Sequence, residues 1–247
     1  MKTLNISVVI PVKNEADLIP DCLESLLQQT MLPAEVIVVD NGSTDASFVI
    51  ACSYIKKFKE KNIPFYILQE MTPGTDNARQ KGCLRAKSPI IAMTDADSRL
   101  TSTWIERISA HFSSTSDIAV TGRLTLFDVP TLILWIDKVH LFEFWEKMKN
   151  HVFGFTSLLG SNCAVRSSAL QKVGGFHNTL SFGMNLEDFE LAHRLSQFGT
   201  IGFDPSIMVH TSARAYATIP LALGTTIKRW KAIFHILKAR KCWTYFK

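Results

Sequence analysis

The stretch ISVVIPVKNEADLIPDCLESLLQQTMLPAEVIVVDNGSTD, residues 6–45, decides the fold class. Ile6–Val12 is an apolar run rich in Val and Ile, as in a strand buried on both faces. Ala16–Gln29 changes period: Leu18, Ile19, Cys22, Leu23, Leu26 and Leu27 fall on one helical stripe. Asn14 is the expected cap, and Pro20 lies near enough to the start to be tolerated. Glu35–Asp40 (EVIVVD) is a second buried strand. Strand, helix and strand in so short a span make a βαβ unit with parallel strands.

The alternation continues outward. Asp45–Lys61 reads as a helix, Phe65–Gln69 as a strand, Thr75–Ala86 as a helix and Ile90–Thr94 as a strand. Thr101–Ser113 is a further helix, and Ile118–Thr121 begins another strand. Beyond it the pattern is less regular. Leu132–Phe155 reads as an aromatic-rich, partly amphipathic helix and Ser161–Arg166 as a short strand. Asp188–Phe198 is a helix with Leu191, Leu195 and Phe198 on one stripe. Ligands of such sheets bind beyond the carboxyl ends of the strands. The loops there read Pro-Val-Lys-Asn-Glu, Asp-Asn-Gly-Ser-Thr-Asp, Glu-Met-Thr-Pro-Gly and Thr-Asp-Ala-Asp, so acidic and turn residues collect on that edge.

The chain has 247 residues, 47% hydrophobic and 20% charged. Such a chain can bury roughly 70–75% of its unfolded surface. That excludes a disordered tail, a collagen-like repeat and a small disulfide-stapled scaffold. The net charge is +5, unevenly spread. All 22 acidic residues lie at or before Asp204, whereas eight basic residues follow it. From about Leu221 the chain reads as a basic amphipathic helix, with Ile227, Trp230, Phe234 and Leu237 among Lys228, Arg229, Lys231 and Lys238. Basic, Trp-containing helices of this kind favour anionic interfaces. Packing on the body of the protein or in a dimer is the plainer use of the same apolar face. Cys22, Cys52, Cys83, Cys163 and Cys242 form no C-x-x-C pair, which fits free thiols in a reducing, cytoplasmic compartment. Neither a signal peptide nor a membrane span is expected, so the chain is soluble or lies on a membrane surface.

Four clusters carry chemistry. Asp95-Ala96-Asp97 closes an apolar strand, where two carboxylates can share Mg²⁺ or Mn²⁺. Asp40, at another strand end, can accept hydrogen bonds from a base or ribose, while Asn41-Gly42 turns the chain and Asp45 caps the next helix. Glu187 and Asp188 open a helix; the helix dipole alone explains acids there, but adjacent carboxylates also suit a general base. His210 is either structural or a further metal ligand. Dinucleotide, P-loop, zincin and G-x-S-x-G motifs are absent.

Together these motifs resemble family 2 glycosyltransferases of the GT-A fold, an inverting family. Ser7–Glu15 and Asp40–Asp45 are similar to that family's first two strand–loop segments, and Gly74 through Arg79 to Gly82 to its G…AR…G helix. Asp95-Ala96-Asp97 stands where its D-x-D stands, Gly160-Ser161-Asn162 resembles its acceptor-side G-x-N, and Gly174-Gly175-Phe176 its G-G-F turn. Glu187–Leu191 with Arg194 resembles E-D-x-E-L-x-x-R, and His210–Arg214 a histidine-bearing element of some members. The resemblance covers about Ser7 to Arg214.

It implies a single Rossmann-like nucleotide-sugar-binding sheet flanked by helices, a catalytic domain over 1–218 and a basic tail over 219–247. Pro11, Glu15, Asp40 and Arg79 would line the nucleotide pocket. Asp95 would hold the ribose or metal side, Asp97 would ligate Mn²⁺ or Mg²⁺, and His210 would add a ligand. Arg214 would offer a cation to the diphosphate. Asp188 would be the general base, with Glu187 on a sugar hydroxyl. The Q-x-x-R-W element of processive synthases is not evident, so one sugar would move from a nucleotide-diphosphate sugar, UDP-sugars favoured, to a saccharide or lipid-linked acceptor. The tail would touch a membrane surface peripherally.

Three other classes compete. A non-catalytic nucleotide-sugar-binding domain would not need Asp95, Asp97 and Asp188 intact. A sugar nucleotidyltransferase would carry a Gly-rich basic loop after its first strand, which Pro11–Glu15 lacks. A nucleic-acid binder would use Lys56, Lys57, Lys59, Lys61 and the tail, but no base-stacking motif accompanies them, and no nucleic-acid partner is expected.

Overall fold

The computed structural model describes residues 4–128, 154–176 and 187–214. Ile6–Val12 forms β1, and all seven of its residues are buried. Strand alternation sends Val8 and Ile10 into one core and Val9 into the other. Glu35–Asp40 (β2), Phe65–Gln69 (β3) and Ile90–Met93 (β4) pair with it in parallel, in the order β3-β2-β1-β4. The chain steps outward from β1 to β3 and then returns to the other side of β1. That reversal opens a crevice between the carboxyl ends of β1 and β4.

Four more strands complete one mixed sheet of eight. They are Ser98–Leu100 (β5), Ala119–Leu126 (β6), Cys163–Arg166 (β7) and Ile201–Thr211 (β8). β7 runs antiparallel to β4, so its amino end stands at the carboxyl end of β4, with Met93 opposite Cys163. β6 pairs antiparallel with β7, β8 parallel with β6, and β5 antiparallel with β8. The long β8 and the short β5 were not expected from sequence. β8 slips register beside β6, where Gly122 faces Asp204 but Arg123 faces Met208. The buried Asn162 holds that irregularity. Its Nδ2 donates to the carbonyls of Arg123 (2.7 Å) and Ile207 (2.9 Å), and its Oδ1 accepts from Trp104 Nε1 (2.8 Å).

Helices cover both faces. Ile19–Leu27 (α1), Ser47–Ser53 (α2), Ile55–Glu60 (α3) and Trp104–Ser114 (α5) bury residues in one core. Thr75–Arg85 (α4), Ser167–Lys172 (α6) and Glu187–Leu195 (α7) do so in the other. α4 lies close on the sheet at Gly82, where a Cβ would stand 2.4 Å from Val9 and 3.2 Å from Val39.

Two local expectations change. Asn14 does not cap α1, which starts at Ile19 with Pro20 in its first turn. Asn14 instead takes a φ of 56° and accepts the Thr44 amide at 2.8 Å, tying the loops after β1 and β2 together. The expected helix Asp45–Lys61 is two helices. They part at Tyr54, whose amide bonds the Ala51 carbonyl three residues back, a tighter turn that buries Tyr54 and Phe58. Most of the expected helix Leu132–Phe155, and the tail from Leu221, lie outside the described residues.

Candidate active site

The crevice holds a cavity of about 390 Å³. β1 brings Pro11 to it and the following loop brings Glu15; the turn after β4 brings Asp95 and Asp97. α4 contributes Arg79, the turn before β7 contributes Gly160 and Ser161, and the first turn of α7 contributes Glu187 and Asp188. Residues far apart in sequence thus meet because the sheet reverses direction at β7.

Arg79 is buried and spans two acids. Its Nη2 donates to Asp95 Oδ1 at 2.7 Å and its Nη1 to Glu187 Oε1 at 2.8 Å. Burial works against its charge, but Asp95, Glu187 and Asp188 outweigh burial and raise its pKa. Burial also raises Glu187, with Arg79 pulling the other way. Glu15 is raised by burial against the pull of Arg214, with which it forms an ion pair.

Asp97 has no ion pair among the described residues. Thr211 Oγ1 donates to its Oδ1 at 3.1 Å, and Ser98 Oγ lies at 3.5 Å. Burial, with Asp95 and Glu15 adding repulsion, pushes its carboxyl up to about 6. An acid so placed gains from a cation. Among the described residues no three His, Cys, Asp or Glu stand together as a complete metal set. One or two carboxylates completed by phosphate oxygens and water is nevertheless how Mg²⁺ is commonly held.

Asp188 is oriented by two backbone amides. Gly160 N donates to its Oδ2 at 3.1 Å and Phe189 N to its Oδ1 at 2.8 Å. Behind it, Arg194 binds both oxygens of Glu190 and the carbonyls of Val173 and Gly175. The acid-rich helix start and the Gly174-Gly175-Phe176 turn are therefore one packed unit. In that unit Glu190 and Arg194 hold α7 in place.

Three expected residues stand apart from the lining. Asp40 ends β2, buried, with its Oδ1 unpartnered and its Oδ2 3.4 Å from the Ser43 amide; the next residue, Asn41, faces the cavity. Arg214 reaches the cavity through Glu15. His210 is not brought to Asp95 and Asp97. It hydrogen-bonds Thr125 on β6, and alternation along β8 turns the next residue, Thr211, towards Asp97 instead. Asn162, expected on the acceptor side, spends its side chain on the β8 irregularity. Thr211, Asn41 and the Gly160 amide were missed; once β8 is recognised as a strand, its period of two singles out Thr211.

Residues 7–174 match the sequence model described as glycosyl transferase family 2. The glycosyltransferase AglE of Haloferax volcanii is 30% identical over 180 residues, covering 72% of this chain and 58% of AglE. The chain thus spans somewhat over half of that relative's length. A mannosyltransferase from Pyrobaculum calidifontis, solved in complex with GDP-Man and Mn²⁺, superposes with a TM-score of 0.71 at 18% identity, covering 98% of this chain and 65% of that one. S. aureus TarS in complex with UDP gives 0.63 at 16% identity, covering 91% and 65%. The fold is that of the GT-A glycosyltransferases.

Proposed function

Because this chain belongs to glycosyl transferase family 2, we propose that it moves one sugar from a nucleotide-diphosphate sugar to an acceptor hydroxyl, with inversion. The observation that carries the proposal is the meeting of Asp95, Asp97, Glu187 and Asp188 around one cavity, with Asp97 in no ion pair among the described residues and Asp188 held by two amides.

Asp97, with Asp95 beside it, would hold Mn²⁺ or Mg²⁺. The desolvated Asp97 carboxyl, in no ion pair among the described residues, fits a hard cation and oxygen donors. When bound, the ion supplies Lewis-acid stabilisation of the diphosphate charge. Pro11, Glu15 and Asn41 line the donor side. The unpartnered Oδ1 of Asp40 is an acceptor suited to a base or ribose donor group. Arg214 balances Glu15 at the cavity and is half exposed, so it can turn to a phosphate oxygen.

Asp188 takes the proton of the acceptor hydroxyl as that oxygen attacks the anomeric carbon. The amides of Gly160 and Phe189 keep its carboxylate aimed. A single displacement opposite the leaving diphosphate inverts the centre. Glu187 would orient a sugar hydroxyl, its charge balanced by Arg79.

The solved relatives carry GDP-Man in one case and UDP in another. UDP-sugars are our first choice of donor, and a saccharide or lipid-linked alcohol is our choice of acceptor. The basic, Trp-containing sequence over 219–247 supports a peripheral contact with anionic lipid. No helix among the described residues is long and apolar enough to cross a membrane. The test is release of nucleoside diphosphate from UDP- and GDP-sugars. Release with Mn²⁺ that stops in EDTA supports metal-assisted transfer; release indifferent to EDTA counts against the metal.

A further inference from the structure

The Arg79 side chain is 5% exposed, and both of its terminal nitrogens are taken by carboxylates. It is therefore ill placed to meet a nucleotide directly. What it joins is informative. Asp95 belongs to the donor-side turn after β4, and Glu187 is the first residue of α7, next to Asp188. Two donor nitrogens fixed on one planar cation hold the two acids at a set spacing, which the single nitrogen of a lysine does not reproduce.

Gly160 completes the arrangement. A Cβ there would stand 2.4 Å from Arg79 Nη2, 2.5 Å from its Cζ and 2.6 Å from Nη1. The guanidinium lies flat against this residue. The Gly160 amide also donates to Asp188 Oδ2. One residue thus backs the bridging cation and aims the proposed base.

We propose that Arg79 is a positioning residue that couples the donor-side Asp95 to the acceptor-side helix start at Glu187 and Asp188, and that Gly160 is required because only a residue without Cβ admits the guanidinium; this rests on the transferase role proposed above. Without the paired donors, the largely buried Glu187 and the partly exposed Asp95 lose their shared cation and repel. The first turn of α7 then shifts, and Asp188 moves with it. Small misplacements of a reacting group cost about a hundredfold in rate.

The test uses Arg79→Lys, which keeps the charge, and Gly160→Ala, which keeps the backbone and adds one methyl. Hydrogen exchange is read across the chain, and donor turnover is followed with UDP-GlcNAc and GDP-mannose plus Mn²⁺. Both variants are expected to speed exchange of the α7 amides while β1 and β2 stay protected. For whichever donor the wild type uses, kcat falls about a hundredfold while donor KM changes less than about threefold. In a Glu187→Gln background the Arg79→Lys loss shrinks, because the two act as one unit. Unchanged α7 exchange in Arg79→Lys overturns the coupling, as does a tenfold rise in KM with kcat kept, which would make Arg79 a donor ligand. Hydrogen exchange judges the coupling even if the wild type turns over neither donor, an outcome that would count against the transferase reading alone.

Discussion

Asp188 has its two carboxylate oxygens on two amides, whereas Asp97 has hydroxyls and no ion pair among the described residues. Environment thus separates two similar acids into a proposed base and a proposed metal ligand. Asp188→Asn keeps the shape and the hydrogen bond from Gly160 but cannot take a proton. It should leave donor affinity within about threefold and cut transfer by about 10²–10⁴. Steady-state rates beside donor titrations check this, and transfer near the wild-type rate would remove Asp188 from the role. These acids were legible in the sequence because each sits where a strand or helix begins or ends. Asp40 was legible as a strand-end acid too, but that the next residue, Asn41, lines the cavity was not. Side-chain direction at the last residue of a strand depends on the loop that follows.

The elements carrying a continuous apolar run or a clear helical stripe were readable: β1 to β4, α1, α5 and α7. β8 was not. Its sequence, Ile201–Thr211, contains Asp204-Pro205-Ser206, and the chain bulges there. Asn162, which repairs that bulge, acts from more than forty residues away, beyond any local pattern. The position of His210 went unread for the same reason. A second long-range device holds the start of β8. His111 on α5 places Nε2 3.0 Å from Asp117 Oδ2 and Nδ1 3.5 Å from Asp204 Oδ2. Arg166, the other charge nearby, bonds the carbonyls of Asp117, Phe112 and Thr115. The Asp204 contact raises the His111 pKa, against burial and with Asp117 helping, and the same contact lowers Asp204 to about 2. The imidazolium contribution is therefore complete below the unfolded histidine value of about 6.5 and is lost as pH rises through the higher folded value. The Asp204 contribution is complete above about 4 and is lost as pH falls towards 2. His111→Gln should cost about 1 kcal/mol near pH 6, lowering Tm by about 2–4 °C, with the deficit narrowing at pH 9. Thermal melts of both proteins across that range check it; a deficit independent of pH would mean that the ring only packs.

At the scale of the whole molecule, an eight-stranded sheet brings the acids together, and a strongly basic stretch of sequence follows. That separation of charge predicts that the full chain floats with vesicles rich in phosphatidylglycerol, stays behind with neutral ones, and is released by high salt. A chain that remains in the soluble fraction with anionic vesicles would leave the basic stretch to intramolecular or dimer packing. The central claim, however, is a metal-assisted nucleotide-sugar site at Asp97. The most direct measurement is the thermal shift given by UDP, GDP and CMP and their sugars, with Mn²⁺ or with EDTA, on the wild type and on Asp97→Ala. We predict that one uridine or guanosine diphosphate series raises Tm only with Mn²⁺, and that Asp97→Ala melts normally but loses that rise. A folded wild type that no nucleotide shifts, or a shift that survives both EDTA and Asp97→Ala, would contradict it.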